Sequence, residues 1–159
     1  MKKIFLAFVI YCVSFNSSYS LIEVDITRGN LDPLPIAVSP LHVDIKSTEH
    51  EGIKVKELGS SISSIIERNF KNTGLFNPLK KDAFVQKPDI AHLKPRFEDW
   101  RLIKAQALVT GKLLVKNGKL KVEFRLWDLT AAKEITALAF TTTPTNWRRV
   151  AHIISDKIY

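Results

Sequence analysis

The strongest structural signal in this chain is the stretch ALVTGKLLVKNGKLKVEFRLWD, residues 107–128. In its second half apolar residues alternate with charged ones, a period of two that is typical of a strand with one buried face. The apolar positions are Leu120, Val122, Phe124 and Leu126. Between the halves stands Asn117-Gly118, which favours the type I′ turn that joins antiparallel strands. The stretch therefore predicts a β-hairpin.

The sequence after the hairpin predicts a third strand and a final helix. Thr130 to Lys133 forms a turn and Ile135 to Thr142 a strand, so the region is predicted to be a meander. After Pro144, either Thr145 or Asn146 can cap a helix. One apolar face of that helix comprises Trp147, Val150, Ala151, Ile154 and Ile158.

The sequence before the hairpin predicts a strand followed by a helix. Ile36-Ala37-Val38 is an apolar run between two prolines, as in a short buried strand. The stretch from His42 to Gly52 is polar and predicts a loop. Residues at three- and four-residue steps then predict a helix that ends at Gly74, with a buried stripe of Val55, Leu58, Ile62, Ile65, Ile66 and Phe70.

The segment between this helix and the hairpin carries weaker signals. Leu75-Phe76 followed by Asn77-Pro78 indicates either a strand end or a tight turn, and Ala83-Phe84-Val85 indicates another short apolar element. Trp100, with Leu102 and Ile103, predicts a short amphipathic turn that packs an aromatic ring onto the core. Strands interleaved with helices indicate an α/β domain.

The first twenty residues have the pattern of a secretory signal. Lys2 and Lys3 form a basic region, Ile4 to Val13 an apolar run, and Ser18-Tyr19-Ser20 places small residues at the cleavage positions. A buried N-terminal strand or an uncleaved anchor remains the alternative. Cleavage after about Ser20 would leave 139 of the 159 residues, enough for one domain, and lower the formal charge from +8 to +6 because Lys2 and Lys3 are lost.

The candidate chemistry is sparse. The single cysteine, Cys12, lies within the signal, so the mature chain would have neither disulfides nor thiolate sites. The histidines lack the close spacing of a metal site, and His152 is most simply a partly buried side chain with a backbone partner. The serines on the first helix lack the glycine frame of a nucleophile elbow. The histidines are His42, His50, His92 and His152, and the serines are Ser60, Ser61, Ser63 and Ser64. No catalysis, cofactor or metal is expected.

Two groups of cations leave other functions open. The first group crowds the hairpin, and with the nearby Trp127 it could bind single-stranded nucleic acid or an anionic surface, although an exposed aromatic pair is missing. Lysines on a solvated strand face also protect a sheet from aggregation. The second group is Arg148-Arg149 at a helix start, which opposes the helix dipole and suggests pairing with carboxylates or a neighbouring domain. The hairpin cations are Lys112, Lys116, Lys119, Lys121 and Arg125.

The segment Leu21 to Thr27 would be the new N-terminus. Ile22, Val24 and Ile26 alternate with polar residues, and Gly29-Asn30 ends the pattern. Such a strand can pair with the edge of its own sheet or with that of another protein. The residues leave both possibilities open.

Several motifs, in their order along the chain, resemble the N-terminal domain of the TolB family, the periplasmic component of the Tol-Pal system of Gram-negative bacteria. They cover nearly the whole mature chain, and their joint order is more specific than any one of them. The motifs are Val24-Asp25-Ile26-Thr27-Arg28-Gly29-Asn30, Leu34-Pro35-Ile36-Ala37-Val38, Asn69-Phe70, Thr73-Gly74-Leu75-Phe76, Asn77-Pro78-Leu79, Phe97-Glu98-Asp99-Trp100, Ala105-Gln106-Ala107-Leu108-Val109-Thr110-Gly111, Val122-Glu123-Phe124-Arg125-Leu126-Trp127-Asp128 and Asn146-Trp147-Arg148-Arg149-Val150-Ala151-His152-Ile153-Ile154.

The resemblance implies a fold and a domain organisation. The fold is α/β, a two-layer sandwich in which a mixed β-sheet with a C-terminal antiparallel meander is packed by amphipathic helices. The chain divides into a signal peptide (1–20), an extended partner-binding tail (21–33) and the α/β domain (34–159). In the family a six-bladed β-propeller that holds the lipoprotein Pal follows, and it is absent here, so the resemblance does not extend Pal binding to this chain. We therefore expect a family fragment or a truncated gene product.

The resemblance also implies a partner and a process. In the family, the mature N-terminal segment recruits TolA, an inner-membrane protein that reaches across the periplasm, and the system maintains outer-membrane integrity and invagination during cell division. Here we expect TolA to bind by strand addition. The alternatives are a basic module that binds nucleic acid or an anionic surface, and a non-functional truncated product. The expected TolA-binding residues are Leu21, Ile22, Glu23, Val24, Asp25, Ile26, Thr27, Arg28 and Gly29.

Overall fold

A computed structural model describes residues 32–159, and Asp32–Tyr159 is one compact unit. Its strands are β1 (Leu34–Val38), β2 (His42–Val43), β3 (Phe76–Pro78), β4 (Ala107–Lys116), β5 (Lys119–Asp128) and β6 (Lys133–Thr142). Its helices are α1 (Leu58–Thr73), α2 (Pro88–Ala91), α3 (Phe97–Leu102) and α4 (Trp147–Ile158). Short 3-10 helices cover Val55–Glu57, Lys81–Ala83 and Pro144–Asn146. None of the helices between residues 32 and 159 is long and apolar enough to cross a bilayer.

The six strands form one mixed sheet, which confirms the predicted fold class. The strand order is β3-β1-β4-β5-β6, and β2 also pairs with β4. The strand β1 pairs in parallel with β3 and with β4, and β2 pairs in parallel with β4. The strands β4, β5 and β6 form an antiparallel meander. At the turn of the predicted hairpin, Asn117 and Gly118 have φ of 51° and 68°. Two consecutive positive φ values are what a type I′ turn requires, so the Asn-Gly prediction is confirmed.

The main core lies between one face of the sheet and the helices α1 and α4. The α1 stripe is buried as predicted, and Gly74 ends the helix with φ of 73°. Asn69 joins the two helices through its Nδ2, which donates to Ser155 Oγ at 2.9 Å. Burial of the apolar stripes drives this packing because each apolar side chain removed from water contributes about 1.5–3 kcal/mol. From α4, this core takes Val150, Ala151 and Ile154.

A second, smaller core covers part of the opposite face of the sheet. Trp100 of α3 packs there against Leu108 and Trp127, and the predicted amphipathic turn is thereby confirmed. The indole N–H of Trp100 donates to Gln86 Oε1 at 3.0 Å, which satisfies this buried group. Leu102 was expected to lie on the apolar face of this turn with Trp100, but its side chain is 79% exposed. The helix α3 has six residues, so a single turn faces the core.

Three local predictions are wrong in detail. His42 and Val43 belong to a strand, because they pair with Lys112 and Leu113 of β4. The apolar element predicted at Ala83-Phe84-Val85 is buried only in part, because Phe84 packs on the second core whereas Val85 is 61% exposed. No side chain caps α4, because Pro144 leads into it through a 3-10 turn. The open choice at Phe76-Asn77-Pro78 resolves to a strand parallel to β1.

Candidate functional site

The predicted partner-binding segment, Leu21 to Gly29, lies outside the residues that the structure describes, and so does the predicted signal peptide. The described part begins at Asp32. There the backbone N–H of Leu34, the first residue of β1, donates to the Leu75 carbonyl at 2.8 Å. The candidate residues that the structure does describe are therefore the cations, histidines and serines named in the sequence analysis.

Two carboxylates, Glu123 and Glu134, offset part of the charge of the hairpin cations. Lys121 and Lys112 both contact Glu123, at 2.7 Å and 3.5 Å. The hydrogen bond from Lys121 lowers the pKa of Glu123, and the charge of Lys112 adds to this shift. Arg125 contacts Glu134 at 3.4 Å and donates to the Leu93 carbonyl at 3.0 Å. Lys116 and Lys119 lie opposite each other at the hairpin tip and pair with no carboxylate of the described residues, so the hairpin keeps a net positive charge.

The aromatic ring nearest to the hairpin cations, that of Trp127, is buried. Trp127 is 7% exposed, and its indole N–H donates to Thr110 Oγ1 at 2.9 Å. Its ring also meets the Phe97 ring edge-on, with centroids 5.8 Å apart. A base cannot stack on a ring that is buried in this way.

Two of the histidines come together, which the sequence analysis did not predict. The rings of His42 and His92 stack with centroids 4.4 Å apart and an interplanar angle of 4°. Burial lowers the pKa of His42, and the neighbouring His92 lowers it further. The Nδ1–H of His92 donates to the Pro88 carbonyl at 2.9 Å. No group of three possible metal ligands exists between residues 32 and 159.

The prediction for His152 is wrong. Its side chain is exposed, and its Nδ1 lies 3.0 Å from the side-chain Nδ2 of Asn69. This partner is a side chain of α1, whereas a backbone group was expected. The reason is that His152 lies at the flank of α4 that faces α1, where an amide is the nearest polar group.

The serines of α1 have a structural role. The Lys81 ammonium donates to Ser63 Oγ and Ser64 Oγ at 3.3 Å and 3.1 Å, and it contacts Glu67 at 3.3 Å. Burial raises the pKa of Glu67, and Lys81 opposes that shift. This cluster fixes the loop after β3 to α1. Lys81 is paired with Glu67 and donates to both hydroxyls, which is the pattern of a structural cluster.

The two arginines at the start of α4 line two different grooves, Arg148 one beside α1 and Arg149 one beside β6. The Arg148 guanidinium lies 4.4 Å from the centre of the Trp147 ring, a cation–π contact. Arg149 lines a separate groove of about 230 Å³ between β6 and α4. Within residues 32–159 neither arginine contacts a carboxylate, so the expected carboxylate pairing is absent from this part of the chain.

Known proteins share this chain's sequence and fold. A Tol-Pal system protein TolB from Pelagibacter ubique (strain HTCC1062) is 60% identical over 161 aligned positions, which cover 100% of this chain and 35% of the relative. The chain thus spans about a third of the length of that curated relative. The crystal structure of TolB from Acinetobacter baumannii matches with a TM-score of 0.61 and 19% identity, over 80% of this chain and 27% of that one.

A second solved structure, the hypothetical protein CT253 from Chlamydia trachomatis, has a TM-score of 0.55 and 16% identity, over 79% of this chain and 95% of that one. At such identities the structural matches show the fold alone. The sequence model of the TolB amino-terminal domain matches residues 22–135, which is most of the chain and includes β1 through the start of β6. By sequence and by fold, the chain belongs to the TolB amino-terminal domain family.

Proposed function

We propose that this chain is a non-catalytic periplasmic module of the Tol-Pal system that recruits TolA through its mature N-terminal segment. In this role it contributes to outer-membrane integrity and to invagination during cell division. Membership of the TolB amino-terminal domain family is the observation that carries the proposal. The matched region begins at residue 22, so it includes almost all of the predicted binding segment, Leu21 to Gly29.

The alternation in this segment supports strand addition. Ile22, Val24 and Ile26 would place three apolar side chains on one face, against the sheet of TolA. The backbone amides and carbonyls of the segment would supply the ladder hydrogen bonds. Ordering a free segment costs conformational entropy, so the contact is expected to be weak and reversible. A transient link of this kind suits a system that must connect and release.

The domain organisation and the location are part of the proposal. Residues 1–20 would direct export and be removed after about Ser20, residues 21–33 would form the binding tail, and residues 34–159 the α/β domain. The mature chain would then be peripheral to the cell envelope. Mass spectrometry of the native product tests this, and we expect a periplasmic species that begins at Leu21. A cytosolic species that retains Met1 contradicts it.

Calorimetric titration of the purified chain with the periplasmic part of TolA tests the recruitment. The triple variant Ile22→Ser, Val24→Ser, Ile26→Ser removes the apolar face and should weaken binding by at least about tenfold, since each buried side chain contributes about 1.5–3 kcal/mol. The control Glu23→Gln, Thr27→Ser alters the opposite face and should retain the affinity within about threefold, as for exposed polar contacts.

Unchanged affinity of the triple variant contradicts strand addition. If the unaltered chain does not bind TolA at all, this result supports the alternative hypothesis that the chain is a non-functional truncated product. The Ser63 and Ser64 hydroxyls accept hydrogen bonds from Lys81, and this structural use supports a non-catalytic role. The hairpin also carries no available stacking platform, so we do not propose nucleic-acid binding.

A further inference from the structure

The strand β6 is an open edge of the sheet. It is the last strand in the order β3-β1-β4-β5-β6, and within residues 32–159 no other strand pairs with its outer side. Its ten residues extend over about 33 Å at about 3.3 Å per residue. An edge strand presents a row of unpaired amide and carbonyl groups, which is a template for another strand.

Only one end of this edge is protected. Lys133 and Glu134 carry charges there, and the pairing with β5 shifts so that Ile135 forms a bulge. Charges and bulges are the usual features that discourage an added strand. From Thr136 to Thr143 the chain has neither a charged residue nor a proline. The opposite edge differs, since β3 has three residues and ends in Pro78.

A groove runs beside the unprotected half of the edge. It has a volume of about 230 Å³ and lies between β6 and α4. Its apolar lining comes from Phe140, Val150 and Ile153, and Arg149 lines it as well. Phe140 points toward the α1 and α4 side of the sheet, where it packs on the main core. A strand added to β6 would therefore direct every second side chain toward this groove.

The groove specifies which side chains fit. Its apolar wall accepts an aliphatic side chain, and Arg149, which contacts no carboxylate within residues 32–159, accepts a carboxylate. Side chains at positions i and i+2 of a strand lie on the same face, about 6.7 Å apart. An arginine forms two parallel hydrogen bonds with a carboxylate, which gives this contact both strength and orientation.

We propose that β6 and this groove form a docking site for an extended segment of a protein partner that carries an aliphatic and an acidic side chain two residues apart. The segment pairs with the backbone of β6 from Thr136 to Thr142, its aliphatic side chain contacts Phe140 and Ile153, and its carboxylate binds Arg149. This interaction is separate from TolA recruitment, in which the chain supplies the strand. Here the chain supplies the sheet.

A fluorescein-labelled peptide, Thr-Val-Thr-Glu-Thr-Val-Thr with blocked ends, tests the proposal by fluorescence anisotropy on the full chain. Its Val and Glu side chains occupy one face. We expect saturable binding that Arg149→Glu weakens by about tenfold or more, because the charge pair becomes a repulsion. The matched control Arg148→Glu makes the same charge change on the neighbouring residue, outside this groove, and should leave the affinity within about threefold.

Two N-methylated peptides test the backbone contacts. In an added strand, every second amide bonds to the edge, so methylation of one alternate set of amides should abolish binding and methylation of the other should preserve it. Equal effects of the two sets overturn strand addition. If Arg148→Glu and Arg149→Glu weaken binding equally, the groove does not bind the carboxylate of the peptide.

The remaining outcomes also overturn the proposal. No saturable binding at millimolar peptide shows that the edge is not a docking site. Binding that begins only after deletion of residues 21–31 means that the chain's own N-terminal segment occupies the edge. Self-association that Arg149→Glu abolishes, measured by sedimentation, means that a second copy is the occupant.

Discussion

Gly59 offers a test in which two physical effects have opposite signs. It lies in the first turn of α1, where alanine is intrinsically favoured over glycine by about 1 kcal/mol. A Cβ at this position would lie 1.9 Å from the Leu41 carbonyl oxygen. The same contact includes a hydrogen bond, since the Leu41 amide donates to the Gly59 carbonyl at 3.2 Å. Gly59→Ala must therefore move one backbone segment away from the other.

The magnitude follows from the size of that movement. An ordinary contact needs about 3.4 Å, so the helix and the Leu41 backbone must separate by about 1.5 Å. Overpacking of a close-packed interior costs typically 1–3 kcal/mol, and both partners here are backbone, so we take about 3 kcal/mol. Loss of the Leu41 hydrogen bond adds about 1 kcal/mol. After the gain in helix propensity, the expected destabilisation is about 3 kcal/mol, which corresponds to a fall in Tm of about 12 °C for a domain of this size.

Thermal unfolding followed by circular dichroism measures this change, and urea titration gives the free energy of unfolding independently. The control is Ser60→Ala, which adds no atom, lies on the exposed side of α1 at the next position, and should change stability by no more than about 0.5 kcal/mol. If Gly59→Ala melts at or above the temperature of the unaltered chain, helix propensity outweighs the contact with Leu41. That outcome would show that the close contact between Gly59 and Leu41 costs less than the roughly 1 kcal/mol gained in helix propensity.

Two further predictions concern the second core and the histidine stack. Gln86→Leu removes the acceptor of the buried Trp100 indole N–H and of the Arg96 amide, so it should destabilise the chain by about 2 kcal/mol in urea titration. Lys87→Leu, at the exposed neighbour, is its control, and equal stabilities would contradict the role of the hydrogen bonds. Because the pKa of His42 is lowered in the folded chain, the unfolded chain binds more protons below pH 6.5, and stability should fall as the pH falls from 7 to 5. His42→Phe keeps a stacked ring without the titrating group, so Tm should fall less between pH 7 and pH 5 in this variant. An unchanged pH profile of Tm would count against His42 as the cause of the fall.

Local sequence accounted for the elements whose pattern is complete within a single segment. The hairpin followed from its alternation and from Asn117-Gly118, because a period of two and two positive φ values are properties of neighbouring residues. The α1 stripe and its end at Gly74 followed in the same way from a period of 3.6 and a left-handed C-cap. Three consecutive apolar residues, Ile36-Ala37-Val38, likewise predicted the buried β1 strand.

The tertiary structure decided the features that join distant segments. The strand β2 exists because β4 offers it Lys112 and Leu113 as partners, and two residues are too few to show a period. The stack of His42 on His92 brings together residues fifty positions apart, and Trp127 could be placed in a core only once α3 covered that face of the sheet. In the candidate docking site, residues near 140 and near 150 form one groove because α4 packs beside β6. Periodicity is set by a residue and its neighbours, whereas these contacts depend on how separate elements pack, and that packing is a property of the whole fold.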